Sequence, residues 1–214
     1  MPAFDGVRVL ELGQIYNGPY CGLLLAQLGA DVIKIEPPGG EQLRFRSHQP
    51  VESHEFVMLN SNKRSVVLNL KTDAGRQALL DLVETADVLI ENFAPGTMER
   101  LQLAPQRLLE HNPRLIVASG KGYGSTGPYA HMSAMDITVQ AMSGGASATG
   151  EPDGPPTKAG AAFLKQARSL RDMRVAGLLH PAKIKNEKRL KSKEIHESWS
   201  RFASQVNYVE THHY

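Results

Sequence analysis

Residues 7–36 constrain the fold more than any other stretch. They run strand, glycine-rich turn, helix and second strand without interruption over about 30 residues, the length of a βαβ unit. Val7, Val9 and Leu10 form a short apolar run ending at Glu11-Leu12. The segment from Gly13 to Pro19 then holds too many breakers to continue a strand. Tyr20, Leu23, Leu24, Leu25 and Leu28 place apolar side chains on one broad helical face, Pro19 suits a first helical position, and Gly29 is a stop signal. Asp31 to Glu36 reads as a second strand, halted by Pro37-Pro38-Gly39-Gly40. In such units a ligand sits where strands end and helices begin, so the loop from Gly13 to Pro19 is the first candidate site.

The pattern repeats downstream. Residues 41–56 show no usable periodicity and are expected to form a long surface loop. Ser65 to Leu70 is a β-branched run of strand length, and Thr72 suits the N-cap of a helix continuing to Thr85. Val88-Leu89-Ile90 has the continuous apolar character of a strand buried on both faces. Helical segments around 98–101 and 105–110 precede a further strand, Leu115 to Ala118, and another helix is expected over about 134–143. Strands alternating with helices at this spacing imply an α/β fold with an open, mostly parallel sheet.

Something changes near residue 164. Residues 1–164 carry 13 Lys/Arg against 17 Asp/Glu, whereas residues 165–214 carry 11 against 5, so the overall charge of +2 conceals two halves of opposite sign. Of 19 glycines and 13 prolines, only Gly177 and Pro181 lie in the second part, so the turn chemistry of the first part stops there. We divide the chain into an α/β domain over 1–164 and a divergent basic tail over 165–214, poorly ordered or partly helical. The tail's basic run, Lys183 to Lys191, lacks interleaved aromatics and reads as a solvated stretch, not a nucleic-acid surface.

Several functions are excluded or disfavoured by pattern. No apolar run reaches the roughly 18 residues of a membrane span, and charges at Asp5, Arg8 and Glu11 break any signal-peptide core. We expect a soluble cytoplasmic protein, with mitochondrial import open if the N-terminus is incomplete. Cys21 stands alone, so neither a disulfide framework nor a cysteine-rich metal site exists, and the scattered histidines suggest no metal. Gly122 to Gly127 formally matches G-x-G-x-x-G, but Pro128-Tyr129 follows where a helix should open, which argues against a dinucleotide fingerprint. The Walker pattern fails at Lys121 for want of the spaced glycine pair and a following Ser or Thr.

Four polar turns remain, each assigned to a strand end: Gln14 to Asn17, Asn62 to Arg64, Asn92 to Arg100, and Lys121 to Tyr123. On successive strands of one sheet they can converge on one crevice. Lys63, Arg64, Arg100 and Lys121 would then give it a positive charge suited to phosphates.

The order of these motifs resembles the family III CoA-transferases. Gly6 to Leu12 followed by Asn17-Gly18-Pro19, Leu28 to Gly40, Asn60 to Ser65, Glu91 to Gly96, Gly122-Tyr123-Gly124 and Thr149 to Pro156 fall in that family's order and spacing, covering about Phe4 to Phe163. The resemblance implies a Rossmann-like CoA-binding domain without the family's second domain. It implies no tightly bound cofactor, with coenzyme A or acyl-CoA and a small carboxylic acid as substrates, and a homodimer for the full-length form. Gln14, Tyr16 and Asn17 match the loop that lines the active site and CoA; Asn92, Phe93 and Arg100 match positions contacting the nucleotide; Lys121 and Tyr123 match the next loop of the same pocket.

The resemblance also implies covalent catalysis, in which an aspartate attacks the acyl-CoA thioester and passes the acyl group through an anhydride. That aspartate should follow Gly160-Ala161-Ala162, where this sequence has Phe163-Leu164-Lys165. Lys165 occupies the nucleophile position and cannot form an acyl anhydride. The expectation is therefore a truncated CoA-transferase isoform lacking the catalytic aspartate. An α-methylacyl-CoA racemase-type enzyme of the same superfamily and a non-catalytic regulatory or binding isoform are the alternatives.

Overall fold

The computed structural model describes residues 2–46 and 52–160. The basic tail and Lys165 lie outside the described residues. Five strands form one sheet: β1 (Arg8–Glu11), β2 (Asp31–Glu36), β3 (Arg64–Val67), β4 (Val88–Glu91) and β5 (Ile116–Ser119). Their spatial order is β3-β2-β1-β4-β5, and every pairing is parallel, as the alternation of strands and helices predicts.

Parallel neighbours require crossovers, and the helices supply them on both faces. Residues of period two divide the core. Val9, Val32, Val88 and Ile90 face α1 (Asn17–Gln27) through Cys21, Leu25 and Ala26. Leu10, Ile35 and Leu89 face α3 (Asp73–Val83) through Leu79, Leu80 and Val83. Met98 of α4 (Thr97–Arg100) and Leu108 of α5 (Pro105–His111) complete that second layer. The Thr72 hydroxyl accepts from the Gly75 amide and caps α3, as its sequence position indicates. A last helix, α6, spans Asp136–Met142.

The expected loop over 41–56 is in part helical. Gln42–Phe45 forms a 3-10 turn and α2 spans His54–Asn60. Tertiary contacts, not periodicity, hold this region. The Arg44 guanidinium binds Glu36, pairs with Glu52 and lies 3.9 Å from the Phe56 ring centroid, while the Ser53 hydroxyl caps α2 by accepting from the Phe56 amide. Leu43, Phe56 and Leu59 make a small core of their own, with Ile15, Tyr16 and Tyr20 packed against it.

No helix among the described residues is long and apolar enough to cross a membrane. No cluster of three His, Cys, Asp or Glu suited to a metal ion occurs among them.

Candidate functional site

The sheet order places a topological switch at β1. The chain leaves β1 toward β2 on one side, then returns to place β4 on the other, so the loops after β1 and β4 diverge and leave a crevice at the strand ends. A cleft of about 130 Å³ lies in that region. Asn17 at the start of α1, Asn92 to Pro95 from the loop after β4, and Gly120 to Gly122 after β5 line it, together with Met132 to Ala134 and Val139.

Close backbone approach shapes the first loop. A Cβ on Gly18 would lie 2.5 Å from the Gly13 Cα, so two glycines are needed where the loop folds back onto the start of α1. A Cβ on Gly120 would lie 2.5 Å from the Asn17 side-chain nitrogen, so this glycine leaves room for that amide. Asn92 grips the loop with both ends of its side chain: Oδ1 accepts from the Gln14 amide at 2.7 Å and Nδ2 donates to the Gln14 carbonyl at 2.8 Å.

Charge is concentrated against the first loop. The Lys34 ammonium, 2% exposed, lies 3.0 Å from Glu11 Oε1, 2.7 Å from Glu41 Oε2, and donates to the Gly13 carbonyl at 3.0 Å. Lys63 Nζ sits 2.6 Å from Glu11 Oε2 and donates to the Pro19 carbonyl at 2.8 Å. Burial opposes the charge on both lysines. At Lys34 the fields of Glu11 and Glu41 outweigh it and hold the ammonium above its ordinary value; at Lys63 burial outweighs Glu11 and the net shift is downward. A third carboxylate, Glu91, accepts from Lys121 Nζ at 2.7 Å and from the Phe93 amide at 2.9 Å. Lys121 also donates to the Phe93 carbonyl at 2.8 Å, which fixes the loop after β4 against the loop after β5.

The site residues expected from sequence separate into groups. Asn17, Asn92, Phe93 and Lys121 come together on the cleft wall. Gln14 is held through its backbone by Asn92, and Tyr16 packs against the core of Leu43, Phe56 and Leu59. Tyr123 stacks obliquely on Tyr129, ring centroids 5.9 Å apart. Arg100 is on the surface of α4, donating to the Thr97 hydroxyl at 2.7 Å.

Lys63 and Arg64 are not brought together with the others. Asn62 to Arg64 enters β3 instead of leaving a strand, because Arg64 is the first residue of β3 and registers with Ile33. Lys63 is sealed against Glu11. Arg64 is exposed and donates from Nε and Nη2 to Asp31 at 2.9 and 2.7 Å, at the end of the sheet where β2 begins. There Asp31 is held below its ordinary value: its modest burial pushes upward, and Arg64, then Arg8, outweigh it. In place of the expected convergence of four cations, Lys121 lies on the cleft wall, Arg100 on the surface of α4, Lys63 is buried on Glu11, and Arg64 pairs with Asp31 where β2 begins.

Sequence reasoning passed over Glu11, Lys34 and Glu41. A signal existed. Lys34 interrupts the apolar run Val32-Ile33-Lys34-Ile35 in a strand covered on both faces, where a charge needs a partner.

Comparison with known proteins bears on the family and the fold. The sequence matches the model for CoA-transferase family III over residues 4–170. An acetyl-CoA:oxalate CoA-transferase of Acetobacter aceti is 49% identical over 163 residues, covering 75% of this chain and 42% of the relative. A succinyl-CoA:mesaconate CoA-transferase of Haloarcula marismortui is 46% identical over 170 residues, covering 75% and 43%. Among solved structures, a CAIB/BAIF family protein from Brucella suis superposes with a TM-score of 0.78 at 36% identity, over 87% of this chain and 52% of that one. The chain spans about two fifths of the length of these curated relatives. With motifs, parallel sheet and family match in agreement over most of its length, the chain belongs to CoA-transferase family III.

Proposed function

We propose that residues 1–164 form the CoA-binding part of a transferase that moves CoA between an acyl-CoA donor and a small carboxylic acid. The carrying observation is the crevice at the β1/β4 switch, lined by Asn17, Asn92, Phe93 and Lys121, in a chain of this family. Relatives named for oxalate and mesaconate support a small carboxylate as acceptor. No tightly bound cofactor enters the reading, and the full-length form is proposed to be a homodimer.

Chemically, the crevice wall offers an amide pair, an aromatic face and a cation. Asn92, bound to Gln14 at both ends, keeps one N–H and one oxygen lone pair with which to orient a thioester or carboxylate, and Phe93 offers an apolar surface. Lys121 is already paired with Glu91, so the exposed Arg100 is the cation with more freedom to meet a phosphate. Covalent transfer would need a carboxylate nucleophile, and this sequence has Lys165 at the position that the family pattern gives to aspartate. The proposal is therefore binding without turnover.

Titration calorimetry with CoA tests it. A charge-assisted contact to phosphate is worth roughly 1.5 to 3 kcal/mol, so Arg100→Ala should weaken CoA about tenfold or more. Arg64→Ala, at the opposite sheet edge, should leave the affinity unchanged. Failure of the purified chain to bind CoA would overturn the reading. Equal affinities for Arg100→Ala and the parent chain would remove Arg100 from the proposed phosphate contacts. Acyl exchange with candidate acids should be absent, and an acyl group trapped by hydroxylamine on a carboxylate of this chain would refute binding without turnover.

A further inference from the structure

Beyond the last sheet bond of β1, where the Leu12 amide donates to the Ile90 carbonyl at 2.8 Å, the backbone is held by side chains from elsewhere. The Gly13 carbonyl accepts from Lys34, the Gln14 amide and carbonyl are taken by Asn92, and the Ile15 amide donates to Glu41 Oε1 at 2.6 Å. Four successive backbone groups are satisfied in this way. At the end of the run Ile15 has φ +64°, a left-handed conformation that a β-branched residue rarely adopts. Such a conformation persists only where the surroundings over-determine it.

We infer that Glu41 is a positioning residue for the crevice: with Lys34 it locks Ile15 in its left-handed conformation and so sets the wall that carries Asn17. Glu41 is 2% exposed, and its two oxygens have different tasks. Oε1 accepts from the Ile15 amide, while Oε2 lies against the Lys34 ammonium. Both tasks need an acceptor, and a carboxylate supplies two. Glutamine has nearly the same shape but only one acceptor oxygen. With that oxygen turned to Lys34, its NH2 group would face the Ile15 N–H, donor against donor. Lys34 would keep Glu11 and the Gly13 carbonyl, so the sheet should stand while the loop relaxes.

The affinity part of this inference rests on the crevice being the CoA site; the loop part does not. On the full chain, amide exchange followed by NMR and CoA titration separate them. In Glu41→Gln the Ile15 amide should exchange at least about tenfold faster while the Leu10 and Leu89 amides keep their rates, since only a local opening is made easier. CoA should bind about tenfold more weakly. Should Glu41→Gln fail to fold, Glu41→Asp serves, because it keeps the charge but falls a methylene short of Ile15. Unchanged exchange at Ile15, or equal acceleration at Leu10 and Leu89, would overturn the inference. If the parent chain binds no CoA, the functional reading falls and the exchange rates alone decide the role of Glu41.

Discussion

Lys34→Met should destabilise the domain by about 3–5 kcal/mol, the usual cost of removing one partner from a buried ion pair. Lys34 is 2% exposed and touches two carboxylates and a carbonyl, so its loss strips Glu41 of its cation and leaves Glu11 with Lys63 alone. Methionine fills much the same volume, so the loss is electrostatic more than steric. Glu41→Gln added to Lys34→Met should then cost less than the two single changes summed, because the second removes the charge that the first left unpaired. Urea unfolding of the four proteins checks this. A single-variant loss below about 1 kcal/mol, or strict additivity, would show that the network does not stabilise the fold.

The first 36 residues were legible because local and global signals agree there. Apolar runs of strand length, a breaker-rich turn, Pro19 near the helix start and Gly29 past its end all point to one arrangement, and β1, α1 and β2 form in that order, with α1 beginning at Asn17, two residues before Pro19. The crossover helices after Thr72 and Pro105 were legible for the same reason.

Two things were not legible, each for a physical reason. Gln42–Phe45 and α2 carry no periodic pattern; the Arg44 contacts to Glu36 and to the Phe56 ring, eight and twelve residues away in sequence, hold them, together with the local Ser53 cap. Lys63 and Arg64, adjacent in sequence, look like one cationic turn. At the entry to a strand, however, successive side chains diverge, so one is buried on Glu11 while the other pairs with Asp31 on the surface. Charge counted along a sequence gives sign without direction. Of the candidate site, Asn17, Asn92, Phe93 and Lys121 were found because they follow strands, whereas Glu41 acts on the loop from 26 residues downstream and leaves no local mark.

Arg44→Ala should cost about 2–3 kcal/mol near pH 7, and the loss should shrink in acid. Glu36 is buried, which by itself would raise its pKa. Arg44 opposes that with a bidentate contact, 2.6 Å from Nε and 2.7 Å from Nη2. The Ser65 hydroxyl at 2.6 Å and the Glu41 amide at 3.1 Å add to it, and together they lower the Glu36 pKa from an ordinary 4.5 to about 2. A carboxylate whose pKa is depressed on folding stabilises the fold fully above its unfolded value. That contribution is lost as pH falls through the folded one. The gap between parent and Arg44→Ala should therefore be complete above about pH 4.5 and close progressively toward pH 2. A remainder of about 0.5–1 kcal/mol should survive at the acid end, because the cation over Phe56 does not depend on Glu36. Urea midpoints measured from pH 7 down to the limit of folding give the curve. A gap that stays constant with pH would mean that Arg44 acts through packing on Phe56 alone, and a gap that widens in acid would contradict the assignment of Glu36 as its charged partner.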